Sequence, residues 1–348
     1  MKKQDIAIEI FSTCPQYVDS RDGYDSYFEQ IRRVAQWSEE YGCKGILIYT
    51  DNRQIDPWVV AQVVIESTEK LCPLIAVQPV YMHPYTVAKK IVSIGKLYNR
   101  RIYLNLVAGG FRNDLKAMND DTPHDRRYDR LIEYMTIISD LLKGGQPVTF
   151  NGEFYQVNNL SMTPEPDPEY YPGIFQSGSS QAGLNAANAL QVTAIQYPLP
   201  LMDYSEILDT STLEFGIRVG IIARSQDKEA WEVACQRFPD SREGELTHKL
   251  ALKTTDSQWY KDLATVDKPV KGRINGTKKK SVPGASFWIH PFKTYGTMCP
   301  YLVGSYELVA HELSQYMEIG YRTFILDIPR ERDDLVHTQR TFEIVKTR

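Results

Sequence analysis

Gly178, Ser179 and Ser180 close an apolar run, GIFQSG (173–178), and lead into a helix-like one, SQAGLNAANAL (180–190). A Gly-Ser-Ser turn between a strand and a helix offers an anion backbone N–H groups, two hydroxyls and a helix dipole, which suits the phosphate of a mononucleotide. The plainer reading is an N-cap, with one serine closing the helix and nothing more. Asn105 sits inside the apolar IYLNLVAG (102–109), where a buried amide must find partners, either in the core or on a ligand. Arg218, in FGIRVG, also belongs to an apolar strand. A guanidinium turned inward there is costly unless it meets an acid or an anionic ligand. His124 and Asp125 could suggest a metal, but neither a histidine nor a carboxylate lies three or four residues beyond His124, so no metal is expected. Cys14, Cys43, Cys72, Cys235 and Cys299 are scattered and form no CxxC pair. Neither a zinc site nor a disulfide framework is indicated, and a reducing cytoplasm is the plain reading.

The elements that must position these groups alternate between short apolar runs and longer helix-like stretches. IAIEIF (6–11), GILIYT (45–50), LIAVQPV (74–80) and IYLNLVAG (102–109) read as the first four strands. GIFQSG (173–178), QVTAIQYP (191–198), FGIRVGIIA (215–223) and RTFILDIP (322–329) read as the next four. Their near-continuous apolar character is expected of parallel strands buried on both faces. Helices follow most of them, at 27–42, 57–70, 86–98, 129–145, 180–190, 227–238 and 305–320. VTFNGEFYQV (148–157) reads as a hairpin with Asn151-Gly152 at its turn. Eight strands with their helices predict a single α/β domain over 1–348, a (β/α)8 barrel with insertions, with the site at the carboxyl ends of the strands. Residues 239–300 break the rhythm. They are polar and contain RINGTKKKSVPG (273–284), which predicts a mobile lid.

With 348 residues and 42% hydrophobic content the chain can bury a large core. A net charge of −4 gives no electrostatic footprint for nucleic acid, and neither a secretory signal nor a membrane-length apolar run is apparent.

The segments LVAGG (106–110), HDRRY (124–128), GSS (178–180) and VGSYELVA (303–310), taken in order, resemble the bacterial-luciferase-like flavin monooxygenases, the alkanesulfonate monooxygenases most closely. The resemblance spans nearly the whole chain and weakens between about 239 and 295. It implies a two-component enzyme that takes reduced FMN (FMNH2) from a separate flavin reductase and assembles as a dimer or tetramer. It also implies that Ser179, Ser180 and Tyr128 hold the flavin phosphate, that Asn105 contacts the flavin, and that Ala108 and Gly109 lie close to its ring. By the same resemblance Arg218, Cys14 and His290 are catalytic candidates, and His290 lies with Lys293 and Tyr295 near the lid. No GxGxxG follows a strand, which favours an external source of reducing equivalents.

The departures concern the substrate. Gln54 stands where the sulfonate enzymes have a cysteine, Gly220 replaces a histidine two residues beyond Arg218, and Ile328 and Arg330 replace a tyrosine and a histidine. Flavin and oxygen chemistry is thus expected without an alkanesulfonate substrate. PHDRRYDRLIEY and CPYLVGSYE are similar to segments of relatives that serve antibiotic assembly lines, the butirosin-type hydroxylases among them, which act on carrier-tethered acyl groups. Two other functions are compatible with the same fold: a deazaflavin-dependent dehydrogenase, separable by its indifference to oxygen, and a non-catalytic flavin-binding protein.

Overall fold

The computed structural model describes residues 8–18, 26–266 and 286–348, together with the backbone of two short strands at 271–274 and 277–280. The eight strands read from the sequence are all present, and the fold class is the expected (β/α)8 barrel. The chain divides into two compact units, one of Cys14–Glu39 and Lys44–Ala194, the other of Met1–Thr13, Glu40–Cys43 and Ile195–Arg348.

The first strand, β1 (Glu9–Thr13), belongs to the latter unit. The former unit then runs α1 (Tyr27–Glu40), β2 (Gly45–Ile48), α2 (Pro57–Ser67), β3 (Cys72–Val77), α3 (Pro84–Tyr98), β4 (Tyr103–Val107), α4 (Arg112–Ala117) and α5 (His124–Lys143). A hairpin of β5 (Val148–Asn151) and β6 (Gln156–Leu160) follows, then β7 (Gly173–Ser177), α6 (Gln181–Leu190) and β8 (Thr193–Gln196). Its parallel strands lie in the order β2-β3-β4-β7-β8. Every residue of β2 and β3 is buried, as their unbroken apolar character requires. Local chemistry sets the helix ends. Asp56 accepts the N–H groups of Trp58 and Val59 ahead of Pro57, and Asn99 turns left-handed (φ 49°) to end α3. The hairpin turn is wider than Asn151-Gly152 alone, because the Glu133 carboxylate of α5 gathers the N–H groups of Glu153, Phe154 and Tyr155. That anchor is invisible to a local turn rule.

The other unit continues with β9 (Phe215–Arg224), α7 (Asp227–Arg237), α8 (Arg242–Thr254), α9 (Gln258–Thr265), β10 (Lys271–Ile274), β11 (Thr277–Lys280), β12 (Phe287–Trp288) and α10 (His290–Lys293). It ends with β13 (Tyr301–Ser305), α11 (Tyr306–Ile319), β14 (Tyr321–Leu326) and α12 (Arg332–Thr347). Ten-residue β9 changes partner halfway. Phe215–Val219 pair with β14, and Gly220–Arg224 pair with β13, both in parallel. Within CPYLVGSYE, therefore, YLVGS is a strand, one that the sequence reading left unassigned.

The described parts of the 239–300 segment are ordered into helices, and Phe287, Trp288, Ile289, Phe292 and Cys299 are buried. Its apolar residues are spaced for a small core with Trp231 and Phe238 that the polar average concealed. The side chains of Lys278, Lys279 and Lys280, on which the lid expectation turned, lie outside the described residues.

Candidate active site

Ser180 is the N-cap of α6. Its hydroxyl accepts the Gly183 N–H at 3.1 Å, so the plainer reading of the GSS turn holds as far as it goes. The turn is more than a cap, however. The HDRRY segment forms the first turns of α5, and this puts the Tyr128 hydroxyl against the turn, hydrogen-bonded to Ser180. Burial raises the Tyr128 pKa and the Ser180 bond tempers the rise, so the phenol is a neutral donor at neutral pH. Gly178 makes the approach possible, because a Cβ there would lie 2.6 Å from the Tyr128 oxygen. A Cβ on Gly183 would sit 3.3 Å from the Gly178 carbonyl and from the Tyr128 ring. The result is a cradle with no side-chain bulk, two hydroxyl groups and the N-terminus of a ten-residue helix. Ser179 completes the turn and is partly exposed.

Gln176 lies beside Gly178 on the Tyr128 side, so Asn105, Phe175 and Ser177 belong to the opposite, inward face of β4 and β7. The Asn105 amide oxygen accepts the Ser177 hydroxyl at 2.7 Å. This bond engages only the oxygen end of the amide. Beyond β4, buried Ala108 leads to Gly109, whose φ of +98° glycine adopts far more readily than other residues. Sequence reading missed the residue that fixes this bend: Arg127, 5% exposed, donates to the Gly109 carbonyl at 3.0 Å and to the Thr122 carbonyl at 2.8 Å. Adjacent residues of α5, Arg127 and Tyr128, thus hold the Gly109 bend and the GSS turn. The signal was present in HDRRY, but the Gly109 carbonyl it serves was not.

In the other unit, Phe324 of β14 packs on Phe342 of α12 with ring centroids 5.3 Å apart, so Phe324 and its register partner Ile217 face the helices. Arg218, in register with Ile325, therefore points to the opposite, inward face, as strand alternation predicts. It is 5% exposed, and its Nη2 lies 3.7 Å from Asp327 Oδ1, while Nη1 approaches the Tyr197 hydroxyl at 3.5 Å. The other Asp327 oxygen accepts the hydroxyls of Tyr301 (2.7 Å) and Thr297. Tyr301 can reach it because position 220 is a glycine: a Cβ there would overlap the Tyr301 ring. Burial, then the Asp327 charge, drive the Tyr301 pKa well up, so the phenol keeps its proton and donates it. Tyr197 is also pushed up by burial, and its ring stacks on Trp259 of α9 at 3.9 Å. Asp327, Tyr301 and Tyr197 were not singled out from the sequence; they become visible only through strand register.

Cys14 and His290 have other surroundings. Cys14 is buried to 1% exposure, its N–H bonds to the Leu47 carbonyl, and burial pushes its thiol up, so it carries no thiolate at neutral pH. His290 begins α10, stacks on Trp288 and faces Asp240 at 3.2 Å. Tyr295 is exposed with φ +57°, and Lys293 donates to the Val266 carbonyl. Gln54 bonds to the backbone of Tyr17.

Three comparisons bear on this arrangement. The chain is 33% identical over 332 residues, 94% of each chain, to the 4-(gamma-L-glutamylamino)butanoyl-[BtrI acyl-carrier protein] monooxygenase BtrO of Niallia circulans. Its fold matches that of the long-chain alkane monooxygenase LadA (TM-score 0.72, 17% identity, 98% and 92% of the two chains). It also matches the oxygenating constituent of 3,6-diketocamphane monooxygenase from Pseudomonas putida, solved with FMN (TM-score 0.65, 15% identity, 98% and 97%). The family profile for luciferase-like monooxygenases matches residues 8–323, and the chain belongs to that family.

Proposed function

We propose that the protein is the oxygenase component of a two-component system, using reduced FMN from a separate flavin reductase to hydroxylate an acyl group tethered to a carrier protein. The observation that carries the cofactor reading is the bare cradle of Gly178, Ser180 and Tyr128 at the start of α6, which fits one terminal phosphate. The substrate reading rests on the 33% identity to a monooxygenase named for a carrier-bound acyl chain. Ser179, Ser180 and Tyr128 would hold the phosphate, and the NH2 end of Asn105 would donate to the flavin. The Ala108-Gly109 bend would give the ring close access to backbone. Reduced FMN supplies the two electrons that activate dioxygen, one atom going to the substrate and the other to water. Arg218 would hold the substrate's polar group or the negative charge that develops, and it cannot act as an ordinary base. Buried Tyr301 and half-buried Tyr197 would help exclude water. Cys14, buried as a protonated thiol, would contribute shape, and His290 a contact of the insertion. The protein would act as one domain within a dimer or tetramer, in the cytoplasm. Among the described residues no helix is long and apolar enough to cross a membrane.

The test combines purified protein, a flavin reductase, NADH, FMN and acyl-carrier substrates. Oxygen uptake coupled to a product one oxygen atom heavier supports the reading. Oxygen-independent turnover with a deazaflavin, or no turnover of any acyl carrier, overturns it.

A further inference from the structure

What stands beside the Arg218 guanidinium decides what it can bind. Asp327 lies 3.7 Å away and is fixed in place by the Tyr301 and Thr297 hydroxyls on its far oxygen. The neighbouring ion pair, Arg237 with Asp334 at 2.6 Å, balances itself. The charge around Arg218 is therefore compensated before any ligand arrives. An entering sulfonate or carboxylate would be drawn by the guanidinium and opposed by a carboxylate at almost the same distance. A carbonyl oxygen meets no such opposition, since it needs a donor and carries no net charge. The arrangement is built in: Gly220 leaves the space through which the Tyr301 ring passes to reach Asp327.

We propose that Asp327 is a specificity-determining residue, which by balancing Arg218 sets this point of the site to take a neutral carbonyl, as in an amide or acyl group, and to refuse a sulfonate or carboxylate. The proposal rests on the reading that Arg218 faces the substrate. It deepens that reading by naming the class of group bound.

The experiment titrates the whole protein calorimetrically with octanamide and with octanesulfonate, one chain length bearing two head groups. The wild-type protein binds the amide more tightly. Asp327→Asn keeps the acceptor for Tyr301 and Thr297 but removes the charge, and it shifts the preference toward the sulfonate by about tenfold or more. Asp327→Glu, which restores the charge, restores the amide preference and serves if the asparagine variant folds poorly. Equal or tighter sulfonate binding by the wild type, an unchanged preference in Asp327→Asn, or binding of neither probe overturns the proposal. Arg218→Ala separates the two claims. If it leaves amide binding untouched, Arg218 does not face the substrate and the underlying reading fails. If it weakens amide binding while Asp327→Asn shifts nothing, only the role of Asp327 fails.

Discussion

Ser180 closes α6 with its hydroxyl oxygen and also bonds Tyr128, so one small side chain fixes both the cap and the orientation of the phenol. Ser180→Ala should weaken FMN binding by about 1–3 kcal/mol, the usual loss for a hydrogen bond to a charged group. The lost cap should cost about 1 kcal/mol of stability on its own. Anaerobic titration measures the first and urea unfolding the second. Equal wild-type affinity for FMN and FAD would show that the turn does not read a terminal phosphate. Arg218 calls for a different experiment. Arg218→Lys keeps the charge but loses the planar fork, so its kcat should fall nearly as far as that of Arg218→Ala, with flavin affinity little changed. Wild-type turnover by Arg218→Ala would make the residue structural. Gly220→Ala would force the Tyr301 ring aside and should destabilise the protein by about 1–3 kcal/mol. A melting temperature equal to wild type would show that the ring can move freely.

At the scale of elements, the end of α1 is tied to the start of β3 by a single carboxylate. Glu39 accepts the N–H groups of Glu69, Lys70 and Leu71, at 3.0, 2.5 and 2.8 Å. Burial alone would raise its pKa, but these three bonds and the Arg100 charge hold it below the ordinary value of 4.5. A lowered carboxylate pKa contributes stability that is complete above 4.5 and is lost as pH falls through the depressed value. Glu39→Gln should lower stability at pH 7 by about 1–3 kcal/mol and flatten the acid limb of the stability profile. An acid limb as steep as wild type would assign the effect elsewhere. All eight barrel strands could be read because parallel strands buried on both faces leave unbroken apolar runs, and β3 and β9 are buried at every residue. Strand β13 could not, because YLVGS runs directly into α11 and reads as one motif with it. Asp327 escaped for a related reason. A lone acid ending an apolar run looks like a strand terminus until register places it beside Arg218. The phosphate turn was legible because cap chemistry is local, whereas the Tyr301 contact depends on a glycine 81 positions earlier in the chain.

For the whole molecule, the residues assigned to the flavin all fall in the unit of Cys14–Glu39 and Lys44–Ala194, and Arg218 falls in the other. Ligand binding to the native state raises the melting temperature in proportion to ln(1 + [L]/Kd), so FMN should stabilise the protein. At about 100 times Kd the gain is roughly 2.7 kcal/mol. Ser180→Ala should reduce the FMN-induced shift at fixed ligand concentration, and Arg218→Ala should preserve it. Loss of the shift in Arg218→Ala alone would move the flavin contact to the wrong unit and undo the division of roles.

The partner change along β9 has a consequence for synthesis on the ribosome. The ladders that residues 215–224 make with 301–305 and 321–326 depend on residues far downstream, and β1 waits for the same last strand, with Glu9 in register with Thr323. Until residue 326 has left the exit tunnel, β1 lacks its β14 ladder and β9 lacks both of the ladders made with β13 and β14. The strands from β2 to β8, by contrast, can pair as they emerge. Long-range parallel pairing of this kind is slow and exposes apolar edges while it is pending. Strand β14 therefore governs the solubility of nascent protein, and translation stalled before it should yield a species that chaperones retain.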